Sequence, residues 1–517
     1  MVLTTLVLYA AGAAILLRSI YLLYQALFGP LKDIPGPFLA RFTRLSFLRS
    51  IYSGQAHWEE IALHRKYAKD GRYYAPVVRL GPNMFSITLP EKVVYGIGSK
   101  MPKSSWYEGW KHPSPDRWTL FPDRNMHRHA ETRRKFQSMY AMSSLLHYES
   151  YVEAAQDVFN QRLVEMCEDG RTVNMHHWLQ CYAFDVIANI TFSRRFGFLD
   201  AGKDIENMMA SLDANLIFSS LAGVYSWAYP FLYKIMEKIP GSGAAARTYL
   251  MKFNTKMIAE KEAQRVADKE AGRRHLPEEG TPRDFLSLAM DAEEDPDKKM
   301  TKYNVFMIGI SNIIAGSDTT AVSLSSVLWH LIANPQTLQR LREELDQAIK
   351  DGKMTADRIS FKQSQELAYF QACIKEGLRL CAATGLPLWR EVPKGSGAIE
   401  LFGHYFPEGT ELGINTWVAH YDEDIWGPDA AQFKPERWID SSAEKLKEMD
   451  SMFMPFGLGS RTCIGRHISF LEINKVVPMI VSKFDFELLD KSGVLDTENY
   501  WFVKPKDFRV VVKPRET

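Results

Sequence analysis

The sequence predicts a mainly α-helical fold with a smaller β-rich region, in a single catalytic domain behind an N-terminal transmembrane helix. Three observations predict it. The chain opens on an almost wholly apolar run, Val2 to Phe28. From Asn125 to Lys256 most segments repeat their apolar residues with helical period, as in "SYVEAAQDVFNQRLVEMC". A long apolar helix covers Thr301 to Asn334, while strand-like text is confined to short stretches.

The opening run carries one charge, Arg18. Crossing a bilayer takes roughly 20 apolar residues. Arg18 costs ~2.5–3.5 kcal/mol at the bilayer centre, and less if it snorkels to an interface. A cleaved signal peptide is the competing reading. No basic segment precedes the run and no clear small-x-small site follows it. Lys32, Arg41, Arg44 and Arg49 do follow, so the positive-inside rule places the body of the protein in the cytosol. Residues 1–28 are read as the anchor, 29–46 as a linker stiffened by the prolines of "GPLKDIPGPFLA", and 47–517 as the catalytic domain.

"APVVRLGPNMFSITL" reads as a short hairpin around Gly-Pro. Arg265 to Lys302 is polar and reads as surface loop and frayed helix. The helix Thr301–Asn334 is apolar on most faces and belongs in the centre of a large domain. Asn312, Asp318 and a row of Ser and Thr argue against a second membrane span. Asn334-Pro335 ends it and begins another helix, the amphipathic "PQTLQRLREELDQAIK". "QELAYFQACIKEGLRLCAA" is a second buried helix, and the text beyond, to Pro428, is strand and turn. A net charge of +1 gives no reason to expect a nucleic-acid partner. Five scattered cysteines without a CxxC pair speak against a zinc ribbon or disulfide framework and for a reducing compartment.

One stretch concentrates chemistry: "FMPFGLGSRTCIGRH", Phe453 to His467. A thiolate is a soft ligand for iron. Nearby cations and a helix N-terminus keep it deprotonated. Gly457, Gly459 and Gly465 allow tight turns and close approach to a flat cofactor, and Arg461 reaches an anionic group on it. A buried structural cysteine is the bland alternative. Yet Phe456, Gly459, Arg461, Cys463 and Gly465 together recur on the order of 10⁻⁷ per position at ordinary usage.

These residues spell F-x-x-G-x-R-x-C-x-G, and here the sequence resembles the cytochrome P-450 family of haem-thiolate enzymes. Further motifs support the resemblance. "EGLR" puts Glu376 and Arg379 on one helix face, and "KPERW" adds Arg437. The resemblance implies that this set locks the core behind the haem. "AGSDTT" supplies Ala315, Gly316, Asp318 and Thr319. Gly316 would clear space for a flat ligand, and Asp318 and Thr319 would pass protons to iron-bound dioxygen, although a helical Thr often just bonds back one turn. "LPLWREV" gives Arg390 as a haem-propionate arginine. In "HRHAETRRKF", His129 stands where the family has Trp, and Arg133 or Arg134 fills the arginine role. "SKMPKSSWYEGW" and "HAETRRKFQSMYAMSSLLHYE" resemble the fungal pisatin-demethylase-like group.

The resemblance implies a monooxygenase holding haem b through Cys463. Electrons would come from NADPH through a partner cytochrome reductase, with cytochrome b5 as a further donor. Arg133, Arg134, Lys135, Arg466 and His467 would form a basic docking patch. It also implies a single-pass protein of the endoplasmic reticulum membrane acting on a lipophilic molecule, in secondary-metabolite biosynthesis or in xenobiotic detoxification. Pocket walls are expected from Ser104–Trp118, Leu212–Ser226, Phe306–Asp318, Thr384–Leu388 and Tyr500–Val503, with no pair of cations to suit a polyanion. Two other classes remain open: a haem-thiolate isomerase or dehydratase that does not use dioxygen, and a tethered haem-binding scaffold. The complete Asp318-Thr319 pair argues against both.

Overall fold

The computed structural model describes residues 2–272, 282–355 and 358–515. It is mostly helical, with four small sheets among the described residues. Helix α1 is Val2–Phe28; the helices that position the site are α2 (Met126–Phe136), α3 (Met175–Phe192), α4 (Met208–Val224), α5 (Gly243–Glu270), α6 (Lys302–Gly316), α7 (Asp318–Ala333), α8 (Ala368–Leu380) and α9 (Arg466–Lys483). Polar caps start several of them. Asn125 accepts from the Arg128 N–H to begin α2, and Asn174 and Ser242 begin α3 and α5 in the same way. Thr301 and Asn304 form a reciprocal capping box at α6.

The expected helix Thr301–Asn334 is divided at Ser317 into α6 and α7. Lys302–Ala333 is long and apolar enough to cross a membrane, but most of its most apolar stretch is buried inside the protein. It packs against α3, α8 and α9, as a central helix should. Asn334 ends α7 and Pro335 opens the next helix, as expected. The expectation of loop and frayed helix over Arg265–Lys302 needs correction. Helix α5 runs on to Glu270, and Phe285–Glu294 is a helix with Phe285, Leu286 and Ala289 buried. Its apolar face is narrow and flanked by charge, which hid it. Residues 273–281 of that stretch lie outside the described residues.

Four strands make the largest sheet. Apart from the separate hairpin of Ile399–Leu401 with His404–Phe406, the strands in chain order are β1 (Val77–Gly81), β2 (Met84–Ile87), β3 (Thr172–Asn174), β4 (Arg390–Glu391), β5 (Glu411–Ile414), β6 (Phe484–Leu488), β7 (Thr497–Tyr500), β8 (Phe502–Pro505) and β9 (Arg509–Pro514). The large sheet runs β1-β2-β5-β4. β1 and β2 are the antiparallel hairpin expected around Gly81-Pro82, with Val78 opposite Ser86. β2 pairs parallel with β5, which brings β4 and Arg390 to the edge. β9 lies between β3 and β6, and β7 pairs with β8. Helix α1 keeps Leu16, Leu17, Ile20 and Leu23 exposed.

Candidate active site

The loop before α9 forms one wall of a cavity. Gly457 and Gly459 have φ of +71° and +61°. A Cβ at Gly459 would run into the Tyr95 carbonyl. The Cys463 N–H donates to the Phe456 carbonyl at 2.8 Å, closing the turn. Cys463 is exposed to this cavity, and Phe456 lines it while packing on Phe470. Burial pushes the thiol up. The N–H groups of Gly465 and Arg466 and the charges of Arg133 and Arg466 oppose that. The cations and amides expected around the sulfur are therefore present, although burial outweighs them. Ser469, on α9, hydrogen-bonds Thr320 of α7 at 2.9 Å, so the helix that carries the thiol loop is pinned to the one that faces it.

Four cations gather around His129 in this cavity. Arg461 donates from Nη1 to the Asp123 carbonyl at 2.9 Å, while its Nη2 is buried without any partner. Burial and neighbouring Arg390 push Arg461 down to about 10. Arg390 reaches the Trp389 carbonyl at 3.0 Å. Arg133 lines the cavity and Arg134 is exposed outside it, which settles which of the two is placed there. His129 is buried in the same wall, and burial with Arg461, Lys103, Arg133 and Arg390 pushes it to about 3, so the ring is neutral. Sequence reasoning missed the fourth cation, Lys103. It is 6% exposed, donates to the Phe121 carbonyl at 2.6 Å, and sits 4.1 Å from the ring centroids of both Tyr107 and Phe121. Nothing in "SKMPKSSWYEGW" separates it from Lys100. Only the bridge from Lys103 to Arg390 brings it into the group.

On the opposite wall, Ser311, Ala315, Thr319 and Ser323 line the cavity. They recur every fourth residue and so share one helix face. Thr319 donates to the Ala315 carbonyl at 2.6 Å. Two expectations are corrected here. Gly316 does not clear room for the cofactor. A Cβ there would meet Ile187 Cγ1 at 2.6 Å, so this glycine serves close packing of α6 on α3. Asp318 does not open to the cavity. It is fully buried, accepts from Gln180 Nε2 at 2.6 Å, and forms an ion pair with Lys504 at 2.8 Å. Lys504 in turn contacts Asp213 of α4.

The Glu376 set is assembled as expected. Arg379 and Arg437 contact Glu376 Oε1 at 2.7 and 2.8 Å, Trp438 Nε1 donates to Oε2 at 2.9 Å, and all three charged side chains are buried. Their charges outweigh the burial and hold the carboxyl below its ordinary value. The expected docking patch is smaller than foreseen. Arg133 faces the cavity, and Lys135 donates to the Lys299 carbonyl at 2.6 Å, leaving Arg134 and Arg466 exposed. Each expected wall segment does line the cavity, but Leu212–Ser226 contributes only Asn215. Arg247 and Met251 of α5 join from outside those segments.

A family model described as Cytochrome P450 matches residues 74–512. The chain is 34% identical over 501 residues to a pisatin demethylase of Fusarium vanettenii, covering 96% of this chain and 93% of that protein. It is 37% identical over 474 residues to a cytochrome P450 monooxygenase of Aspergillus terreus, covering 89% and 91%. With the cytochrome P450 monooxygenase cicH of Emericella nidulans the identity is 35% over 498 residues, covering 94% of each. The chain belongs to the cytochrome P450 family, whose members bind haem iron through a cysteine thiolate. It is a monooxygenase of that kind, taking dioxygen, a redox partner and a small-molecule substrate. The cavity fits the cofactor. An apolar slot lies between Ala315 and Phe456, a thiol stands in one wall, and the partnerless Arg461 Nη2 waits beside further cations for an anion.

Proposed function

We propose that this chain is a membrane-anchored monooxygenase that oxidises a lipophilic small molecule in fungal secondary metabolism. The single observation that carries the reading is Cys463 facing a largely apolar cavity whose wall holds a buried, partnerless guanidinium nitrogen at Arg461. The Cys463 thiolate would hold the haem iron. Arg461, Arg390 and Arg133 would hold the haem propionates, with Lys103 and His129 beside them. Ala315, Phe456 and the Gly465 backbone would border the ring and the sulfur. Haem bound there supplies the activation of dioxygen, with electrons from NADPH through a cytochrome reductase.

The chain's own residues do the rest. Thr319 presents its hydroxyl to the cavity, and exchanging the Ala315 carbonyl for a water would let it hold a proton there. Asp318 is the adjacent carboxylate. It would reach that water only by giving up Lys504. Glu376, Arg379 and Arg437 hold the scaffold behind the thiol loop and have no chemical role. The exposed apolar side chains of α1 support its reading as a single span, the basic residues after it would keep the body in the cytosol, and the endoplasmic reticulum is proposed from the family resemblance.

The test is deletion of the gene in its host, with metabolites compared by accurate mass. An accumulating compound that lacks one oxygen relative to the lost product marks a hydroxylase or epoxidase. A pair differing by two hydrogens marks a desaturase or ring-former. An isomeric pair overturns the monooxygenase reading in favour of a rearrangement. A profile that does not change overturns the secondary-metabolite assignment.

A further inference from the structure

The end of the cavity beside Phe306 is polar, and no haem contact explains it. Phe306 lies nine residues before Ala315 on α6, ~13 Å away at the helical rise. Arg247 lines the cavity here and is 6% exposed. Its five N–H groups are all used, and every acceptor is neutral. Nε donates to Asn215 Oδ1 at 2.9 Å, Nη1 to the Lys111 carbonyl and Tyr229 hydroxyl, and Nη2 to the Gly109 carbonyl and Ser219 hydroxyl. A buried cation without an anion is costly, and a carboxylate nearby would ordinarily offset it. Among the described residues none forms an ion pair with Arg247.

Two donors face the cavity beside it. Asn215 is 1% exposed and lines the cavity. Because its Oδ1 is taken by Arg247, the amide is oriented, and Nδ2 has no protein acceptor among the described residues. His112 also lines the cavity. The Ser114 N–H donates to its Nδ1 at 3.0 Å, so the proton of the neutral ring sits on Nε2, again without a protein acceptor among the described residues. The ring is held edge-on against Tyr303 and Phe306. The remaining charged neighbours are Lys111, occupied by Glu108 and the Trp118 ring, and Arg117 and Asp116 on the loop after His112.

We infer that Asn215 Nδ2, His112 Nε2 and the unneutralised charge of Arg247 form an anchor for an anionic oxygen, a carboxylate or acidic enol, on an otherwise apolar substrate. One charge is matched, so a monoanion suits the site and a polyanion does not. The separation from Ala315 favours a substrate longer than one ring, oxidised at the end remote from its acid. That the bound molecule is a substrate rests on the monooxygenase reading. That it binds here does not.

The test uses the full-length holoenzyme in bilayer discs, titrated calorimetrically near neutral pH. The probes are 4′-methoxybiphenyl-4-carboxylic acid and the isosteric carboxamide. The acid is expected to bind about tenfold more tightly, the worth of a charge-assisted hydrogen bond. Asn215→Asp keeps the acceptor for Arg247 Nε, removes the donor and neutralises the guanidinium, so it should reverse the order and favour the carboxamide. His112→Phe keeps the ring contacts and should lower the affinity for the acid severalfold. Equal affinities, no binding of either probe, or a preference that survives both substitutions overturns the anchor. The reduced carbonyl spectrum of the same samples separates the two claims. A preference for the acid without a thiolate band sustains the anchor and sinks the monooxygenase reading. A thiolate band without the preference does the opposite.

Discussion

Among the described residues no cysteine other than Cys463 lines the cavity. Replacing it by alanine should therefore abolish the red-shifted Soret band of the reduced carbonyl complex. A band that survives Cys463→Ala would assign the ligand elsewhere. This residue is legible in the sequence because its role needs several residue types at fixed spacing around one turn. The other polar groups of the cavity are not legible in the same way. Lys103 and His112 come from one short stretch and Arg247 from α5, and only tertiary contacts give them a common cavity. The corrections at Gly316 and Asp318 have a different cause. A helix turns about 100° per residue, so neighbours of Ala315 and Thr319 in sequence point elsewhere. The spacing of four that runs from Ser311 through Ser323 is the signal that separates the cavity face from the α3 face.

At the scale of elements, α8 shows what a two-residue signal supplies and what it leaves out. Glu376 and Arg379, three apart, announce a pair, and apolar flanks announce its burial. The carbonyl oxygens of His420 and Ala430, which also receive Arg379, and the Trp438 indole come from elsewhere in the chain. Glu376→Ala would strand Arg379 as a buried cation and leave Arg437 only the Asp429 carboxylate at 3.3 Å. The expected loss is ~3–5 kcal/mol of stability, read as a lower urea midpoint of the holoenzyme. An unchanged midpoint would mean that the carbonyls and Asp429 satisfy both guanidinium groups. The helix Phe285–Glu294 escapes sequence reasoning because charge flanks its apolar face, and the break at Ser317 leaves no mark in the local periodicity.

Over the whole molecule, the mainly helical character and the β1–β2 hairpin follow from periodicity and turn residues, whereas the strand order β1-β2-β5-β4 depends on pairings hundreds of residues apart. Stability should also depend on pH. Burial pushes His57, His176 and His420 from 6.5 to about 3, and His64 and His330 to about 4. Unfolding frees these rings to take up protons below 6.5, so their contribution is lost as pH falls through that value. Glu60 and Asp422, pushed up to about 7 by burial, and Glu472, pushed well above its ordinary value by burial, act in the opposite sense, but these strongly shifted carboxyls are three against six histidines once His129 is counted. The urea midpoint should therefore be lower near pH 5.5 than near pH 7.5, and equal midpoints would show that the two sets cancel. A last consequence follows from β9, which joins β3 to β6 across the chain. The ribosome makes α1 long before β9, so insertion into a membrane, if α1 directs it, precedes closure of the domain. A premature stop before Arg509 would spare every residue around the thiol and still leave β3 and β6 without the strand that joins them, so the yield of pigmented protein should fall.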